Sequence, residues 1–247
     1  MRILLKLSPQ QDTPQPVPQY SIQSSLYRIL KTINKDNIHD SGRYKYFCFS
    51  NIFPYKINQS FLQDEILNLM ISTPDIDLIN NLKSFFDFKP DLFFMIDRKK
   101  YIFNVVESKK LQIDPVGKIL STSTPISITM PGYLFEKYGI KSERQSVHWT
   151  NKMPLNAFID ALTNNLIYKY EKYHSLTFDK DIPLFRSFKF KGFALVPYKN
   201  TKIACSRWEL NPISETDIQR DIIKFGVEVG FGQRNSAGFG FINPISR

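Results

Sequence analysis

The order of strand and helix patterns constrains the fold of this chain more than any other sequence feature. Apolar residues alternate over residues 2–8, as in a half-buried strand, and recur at helical spacing over residues 22–33. Two strand-like segments follow, "KYFCFSNIF" and "EILNLMIS". A helix that begins at Pro74 and a hairpin over residues 93–106 complete the first half. The first half is therefore predicted to have the order β-α-β-β-α-β.

The second half is predicted to repeat this order with different spacing. The segment "KILSTSTPISITM" is strand-like, and apolar positions at helical spacing define a long helix from Pro154. Two strands are then predicted over residues 186–197 and 202–211, joined by the turn "YKNT". The repeated order favours two related halves.

The end of the chain supplies the last helix and strand of the second half. Ser214 is predicted to cap this helix and Gly226 to end it. A final strand is predicted to run through Phe239 and Phe241. The predicted fold class is thus α+β, with two tandem ferredoxin-like βαββαβ domains. The boundary is placed near residues 110–120, giving domains over residues 1–115 and 116–247.

Composition restricts the environment and the partner. The two cysteines, Cys48 and Cys205, lie far apart and outside any zinc-ligand spacing, which favours a reducing cytoplasm and no bound metal. The sequence contains neither a secretory leader nor an apolar segment long enough for a bilayer, so a soluble protein with no membrane partner is expected. The net charge of +10 favours a polyanion partner, and the 14% aromatic content offers faces on which unpaired bases could stack. Charge alone leaves open the alternative of a basic protein without a polyanion partner.

A glycine-rich stretch, "GVEVGFGQRNSAGFGFINP" at residues 226–244, is the most unusual motif. Its pattern G-F-G-x5-G-F-G is neither a Walker loop nor a dinucleotide fingerprint. One interpretation is a loop whose uncovered backbone amides approach a phosphate chain, with Arg234 and Asn235 as donors. The other is a glycine-lined hairpin that packs under a helix. The residues alone leave both interpretations open.

This ending closely resembles the C-terminal motif of the CRISPR-associated endoribonucleases that cut the precursor repeat transcript. These enzymes are members of the repeat-associated, RNA-recognition-like superfamily. The similarity extends to "MRILLKLSP", to the helix "YSIQSSLYRILKTI" followed by "YFCFSNIF", and to "ISTPDIDLINNL" with the hairpin after it. The resemblance therefore covers most of the chain.

The resemblance implies a reaction in which the RNA supplies its own nucleophile. The 2′-hydroxyl attacks the adjacent phosphate and leaves a 2′,3′-cyclic phosphate and a 5′-hydroxyl, without metal or cofactor. Three residues match the catalytic positions: His39 as general acid and base, Lys45 for charge stabilisation, and Tyr27. Arg43 could serve in place of Lys45, and it is counted among the RNA-binding residues. The other expected RNA-binding residues are in the loop: Gly230, Gly232, Gln233, Arg234, Asn235, Ser236, Gly238 and Gly240.

The resemblance also implies the partners and one alternative. The expected partner is the CRISPR repeat transcript, with a CRISPR effector complex as a second one, and the protein is a monomer or a homodimer. The alternative function is a non-catalytic RNA-binding subunit of such a complex, which would not require His39. A third reading, a nucleotide-binding metabolic enzyme, lacks a phosphate fingerprint. His148 and His174 are predicted to be structural or surface residues.

Overall fold

The computed structural model describes residues 1–33, 45–55, 59–178 and 181–245, and these divide into two compact units. The N-terminal unit comprises Met1–Gln112 together with Ser236–Gly238. The C-terminal unit comprises the described residues from Ile113 to Asn235 and those from Phe239 onward. Three residues of the glycine-rich stretch therefore group with the N-terminal unit, where Gln19 Nε2 donates a hydrogen bond to Gly238 O at 2.8 Å.

The N-terminal unit is a ferredoxin-like sheet with one additional strand. Its elements are β1 (Arg2–Pro9), α1 (Gln19–Thr32), β2 (Cys48–Phe49), β3 (Leu67–Ser72), α2 (Ile76–Asp87), β4 (Asp91–Ile96) and β5 (Lys99–Leu111). The strand order is β2-β3-β1-β5-β4, and all pairs are antiparallel. Without β4 this is the order of a βαββαβ unit, and β4 extends the edge beside β5.

Apolar side chains that are buried at regular spacing form the core of this unit. Ile3, Leu5 and Leu7 alternate along the central strand β1 and are fully buried, as their spacing predicts. In α2 the N-cap residue is Asp75, whose side chain accepts a hydrogen bond from Leu78 N at 2.9 Å. The predicted hairpin is present as β4 and β5. Its two turn residues, Asp97 and Arg98, both have positive φ, which matches the twist of a two-residue hairpin.

The C-terminal unit has the ferredoxin-like order with an inserted hairpin. Its elements are β6 (Ile119–Thr122), β7 (Thr129–Pro131), α3 (Tyr133–Tyr138), β8 (Ser146–His148), α4 (Leu155–His174), β9 (Phe185–Tyr198), β10 (Thr201–Pro212), α5 (Asp217–Val229) and β11 (Ile242–Ile245). The main sheet has the order β11-β6-β10-β9, and β7 and β8 form a separate two-stranded sheet. The fold is thus α+β with two tandem ferredoxin-like units, which confirms the predicted class.

Aromatic packing forms the core of this second unit. Trp208 stacks on Phe158 with ring centres 4.3 Å apart, and Trp149 meets Phe158 edge-on at 5.2 Å. Each buried indole finds a hydrogen-bond acceptor, Ser206 Oγ for Trp208 and Pro154 O for Trp149. These contacts hold α4 against the sheet. The buried rings contribute apolar area, and the indole N–H groups keep their hydrogen bonds.

Three details of the predicted ending were wrong. The cap of α5 is Thr216, which exchanges two hydrogen bonds with Gln219 in a capping box. Gly226 lies within α5, where a Cβ would stand 2.8 Å from the Phe231 ring, so glycine is required there by packing. Phe239 and Phe241 are buried in the segment before β11.

The capping box gives a direct stability prediction. Thr216→Ala is expected to lower the free energy of unfolding by about 1 kcal/mol, because it leaves the Gln219 amide without its cap. Ser214→Ala is the matched control, since the Ser214 hydroxyl is buried without a hydrogen-bond partner within the described residues. Urea unfolding of both variants measures the difference. Equal losses would contradict the assignment of the cap to Thr216.

Candidate functional site

The N-terminal unit brings together two of the predicted catalytic residues. Tyr27 lies at the edge of the buried stripe of α1, and its ring packs edge-on against Phe47 with centres 6.0 Å apart. Lys45 Nζ lies 4.9 Å from the centre of the same ring, on the segment that leads into β2. An ammonium group over a tyrosine face is attracted by the ring quadrupole. Tyr27 therefore holds Lys45 in a defined position.

The other two predicted residues of this region lie outside the described part of the chain. His39 and Arg43 are between Ile33 and Lys45 in the sequence, where placements are not described. Their roles stay predictions.

The glycine loop, defined here as residues 230–240, is closely packed. Gly230, Gly232, Gly238 and Gly240 all have positive φ, and all are buried. A Cβ at Gly232 would lie 2.5 Å from Ser127 O, and one at Gly240 would lie 1.9 Å from Phe231 O. Only glycine combines this conformation with this closeness. The structure thus supports the packing interpretation for the glycines themselves.

A buried lysine that the sequence analysis missed fixes the shape of the loop. Lys169 on α4 is 2% exposed, and its ammonium donates to Gly230 O at 2.6 Å, Gly232 O at 3.0 Å and Asn235 Oδ1 at 3.1 Å. A buried charge needs such hydrogen bonds to offset its desolvation. The sequence contained a signal for this burial, because Lys169 lies three residues after Leu166 on the apolar face of its helix.

The Asn235 side chain forms hydrogen bonds within the protein that stabilise the loop. Its Nδ2 donates to Phe231 O and Phe239 O, both at 3.0 Å, while its Oδ1 accepts from Lys169. Both amide hydrogens are therefore used within the protein. This corrects the expectation that Asn235 donates to a phosphate: its side chain closes the loop across its two ends.

Three other polar side chains lie at residues 233–236 of the loop. Arg234 is exposed and has a φ of 59°. Gln233 is anchored by its backbone N–H to Ser127 O at 2.8 Å and by its side-chain oxygen, which accepts from Thr129 Oγ1 at 2.7 Å. Ser236 is half-buried. Of the predicted loop donors, Arg234 is the charged one that faces solvent.

The described residues show neither a metal-binding cluster nor a membrane-spanning helix. They contain no group of three or more His, Cys, Asp or Glu side chains arranged to hold a metal ion. None of the helices in the described ranges combines the length and the apolar character that crossing a membrane requires.

Solved structures share the fold of this chain over its full length. A solved structure described as a RAMP protein binding different RNA substrates superposes with a TM-score of 0.72 at 22% identity, over the full length of both chains. Another, described as CRISPR associated protein Cas6, has a TM-score of 0.71 at 24% identity and covers 100% of this chain and 99% of its own. These likenesses establish the fold class.

Sequence comparison identifies the family. The family model described as "CRISPR associated protein Cas6, C-terminal" matches residues 98–244, more than half of the chain. The chain therefore belongs to the Cas6 family of CRISPR-associated proteins. The CRISPR-associated endoribonuclease Cas6 2 of Methanocaldococcus jannaschii is 28% identical, over 99% of this chain and 100% of the relative. The CRISPR-associated endoribonuclease Cas6 of Haloferax mediterranei is 26% identical, over 100% of this chain and 94% of the relative.

Proposed function

We propose that this protein is an endoribonuclease that binds CRISPR repeat RNA and cleaves it within the repeat. The observation that carries this proposal is its similarity, over nearly the whole length of both chains, to relatives named CRISPR-associated endoribonucleases. The net charge of +10 fits an RNA partner. The protein acts in the cytoplasm as a monomer or homodimer, with a CRISPR effector complex as a further partner.

The proposed reaction needs no metal and no cofactor. The 2′-oxygen forms a bond to the adjacent phosphorus while the bond from phosphorus to the 5′-oxygen breaks. The products are a 2′,3′-cyclic phosphate and a 5′-hydroxyl. The 2′-hydroxyl gives up a proton and the 5′-oxygen gains one, and His39 is the proposed acid and base because an imidazole titrates near neutrality.

Lys45 is the proposed electrostatic group. Negative charge builds on the phosphate oxygens in the transition state, and a fixed cation stabilises it best when it is already in place. The contact with the Tyr27 ring supplies that fixation for the Lys45 ammonium. Arg43 could share this task. Arg234, Gln233 and Ser236 are the proposed loop contacts to the RNA backbone.

Cleavage assays with repeat RNA in EDTA test the proposal. We expect the native protein to cut without added metal and His39→Ala to cut roughly 10²–10⁴ times more slowly. Lys45→Ala is expected to lose roughly 10²–10³-fold in rate with little change in RNA affinity. Lys31→Ala, which removes an exposed lysine at the end of α1, is the matched control and should keep its rate.

Each failure has a distinct meaning. Cutting that requires magnesium would contradict the metal-independent mechanism. Full activity of His39→Ala would remove that residue from the site. Tight RNA binding without any cutting by the native protein would favour the non-catalytic subunit instead.

A further inference from the structure

The inserted hairpin of the C-terminal unit lies beside the glycine loop. The segment Ile126–Thr129 forms a β-bridge to Ser206 at Ile126 and a second to Gln233 at Ser127. Thr129 Oγ1 then donates to the Gln233 side chain. This segment therefore joins β10, the glycine loop and the hairpin within four residues, which is about 10 Å of extended chain.

Three nitrogen-bearing side chains come from these three elements. Arg207 follows Ser206 on β10, Arg234 follows Gln233 in the loop, and His148 pairs with Thr129 in the β7–β8 register. Both arginines are exposed, and His148 is half-buried. We call these three residues the cationic cluster.

The charges of Arg207 and Arg234 act on neighbouring groups of the same unit. Burial lowers the pKa of His148, the charge of Arg234 lowers it further, and a hydrogen bond to the Ile128 carbonyl opposes both. Burial raises the pKa of the Cys205 thiol to about 12, while the charges of Arg207 and Arg234 pull it down. Both guanidinium groups therefore act on the same buried thiol.

The cluster has unused donor capacity. Within the described residues, neither Arg207 nor Arg234 forms an ion pair with a carboxylate. Arg207 Nη1 donates to Ser123 O at 3.2 Å, just after the end of β6. His148 Nδ1 is buried without a hydrogen-bond partner among the described residues. Planar guanidinium groups and an imidazole suit the oxygens of a phosphodiester.

We infer that Arg207, Arg234 and His148 form a binding site for a backbone phosphate of the RNA, contributed wholly by the C-terminal unit. This inference rests on the proposed function and adds two residues, Arg207 and His148, that the family motif does not contain. It also gives the inserted hairpin a role, because β8 carries His148. The inference differs from the prediction that His148 is a structural or surface residue.

Binding of repeat RNA with 2′-O-methyl riboses tests the inference, because this RNA cannot attack its own phosphates. Arg207→Ala and Arg234→Ala are each expected to weaken binding about 5- to 20-fold. Removal of both arginines together should lower the slope of log K against log salt by about 0.7, the value for one phosphate contact to a single strand. Since both side chains hold the same phosphate, the double variant should lose less than the product of the single losses.

The pH dependence of binding tests His148. A bound phosphate stabilises the imidazolium and raises a pKa that burial and Arg234 had lowered, so binding takes up a proton. Affinity should therefore rise as the pH falls from about 7.5 to 5.5, near the ordinary imidazole pKa. His148→Gln should flatten this rise. The charged group that acts on His148 is Arg234, and the neutral Ile128 carbonyl, just before β7, accepts its hydrogen bond.

Lys224→Ala is the matched control, because it removes one exposed charge from α5 of the same unit. Thermal unfolding of every variant verifies that it is folded. If Arg207→Ala and His148→Gln bind like Lys224→Ala while the native protein binds tightly, the cationic cluster is not a phosphate site. If the native protein does not bind repeat RNA, the proposed function itself fails.

Discussion

Gly240→Ala is expected to lower the free energy of unfolding by about 4 kcal/mol or more, within the range that only severe core changes reach. The new Cβ would lie 1.9 Å from Phe231 O, a backbone atom that cannot rotate away. Relief of this clash requires movement of the backbone, which would disturb the hydrogen bonds that Gly240 makes with Phe231 and Pro125. A melting temperature lowered by on the order of 10 °C is the expected readout.

Gly117→Ala separates this packing effect from the backbone effect. Gly117 has a φ of 69° and Gly240 has 72°, so an alanine meets the same conformational penalty at both positions. A Cβ at Gly117 has no atom within 4 Å, so the expected loss there is only about 1–2 kcal/mol. Similar losses for the two variants would contradict the close packing of the glycine loop.

The clash at Gly240 shows why the sequence left the purpose of these glycines open. A glycine with positive φ looks the same in sequence whether its missing side chain admits a phosphate or a carbonyl of the same protein. Only the tertiary contacts with Ser127 and Phe231 distinguish the two cases. The motif predicted an unusual loop, and the structure shows that its glycines pack against backbone atoms of the same protein.

Local signals predicted the elements well and their ends less well. The helical spacing from Pro154 and the alternation on β1 predicted α4 and β1, because one buried face imposes a period on a whole segment. Ser214 and Thr216 are both suitable N-cap residues, and only the reciprocal bonds with Gln219 choose between them. Phe239 and Phe241 alternate like strand residues, yet they fill the core from an irregular segment.

The site shows the same division between local and tertiary information. Tyr27 and Lys45 were predicted from motif positions, and the structure places the ammonium over the ring. Lys169 was not predicted, because a lysine on an apolar helical face is usually assumed to reach solvent. Its three acceptors come from residues more than 60 positions away in the chain.

Replacing the ribose at the cleavage position with 2′-deoxyribose is expected to abolish cutting, a loss of roughly 10⁶-fold or more, because the proposed nucleophile is gone. Binding should change by less than about tenfold, the effect of one or two hydrogen bonds. The control is the same RNA with a 2′-deoxyribose several nucleotides away, which should be cut at the normal rate. This contrast isolates the 2′-hydroxyl from all other features of the substrate.

The central claim is that the RNA provides the attacking group while the protein supplies proton transfer and a fixed positive charge. The most direct measurement is the cleavage rate in EDTA of two repeat RNAs that differ only in the 2′-hydroxyl at the cut. We predict cleavage of the unmodified RNA to a 2′,3′-cyclic phosphate and no cleavage of its partner. Cutting of both RNAs at comparable rates would contradict the mechanism.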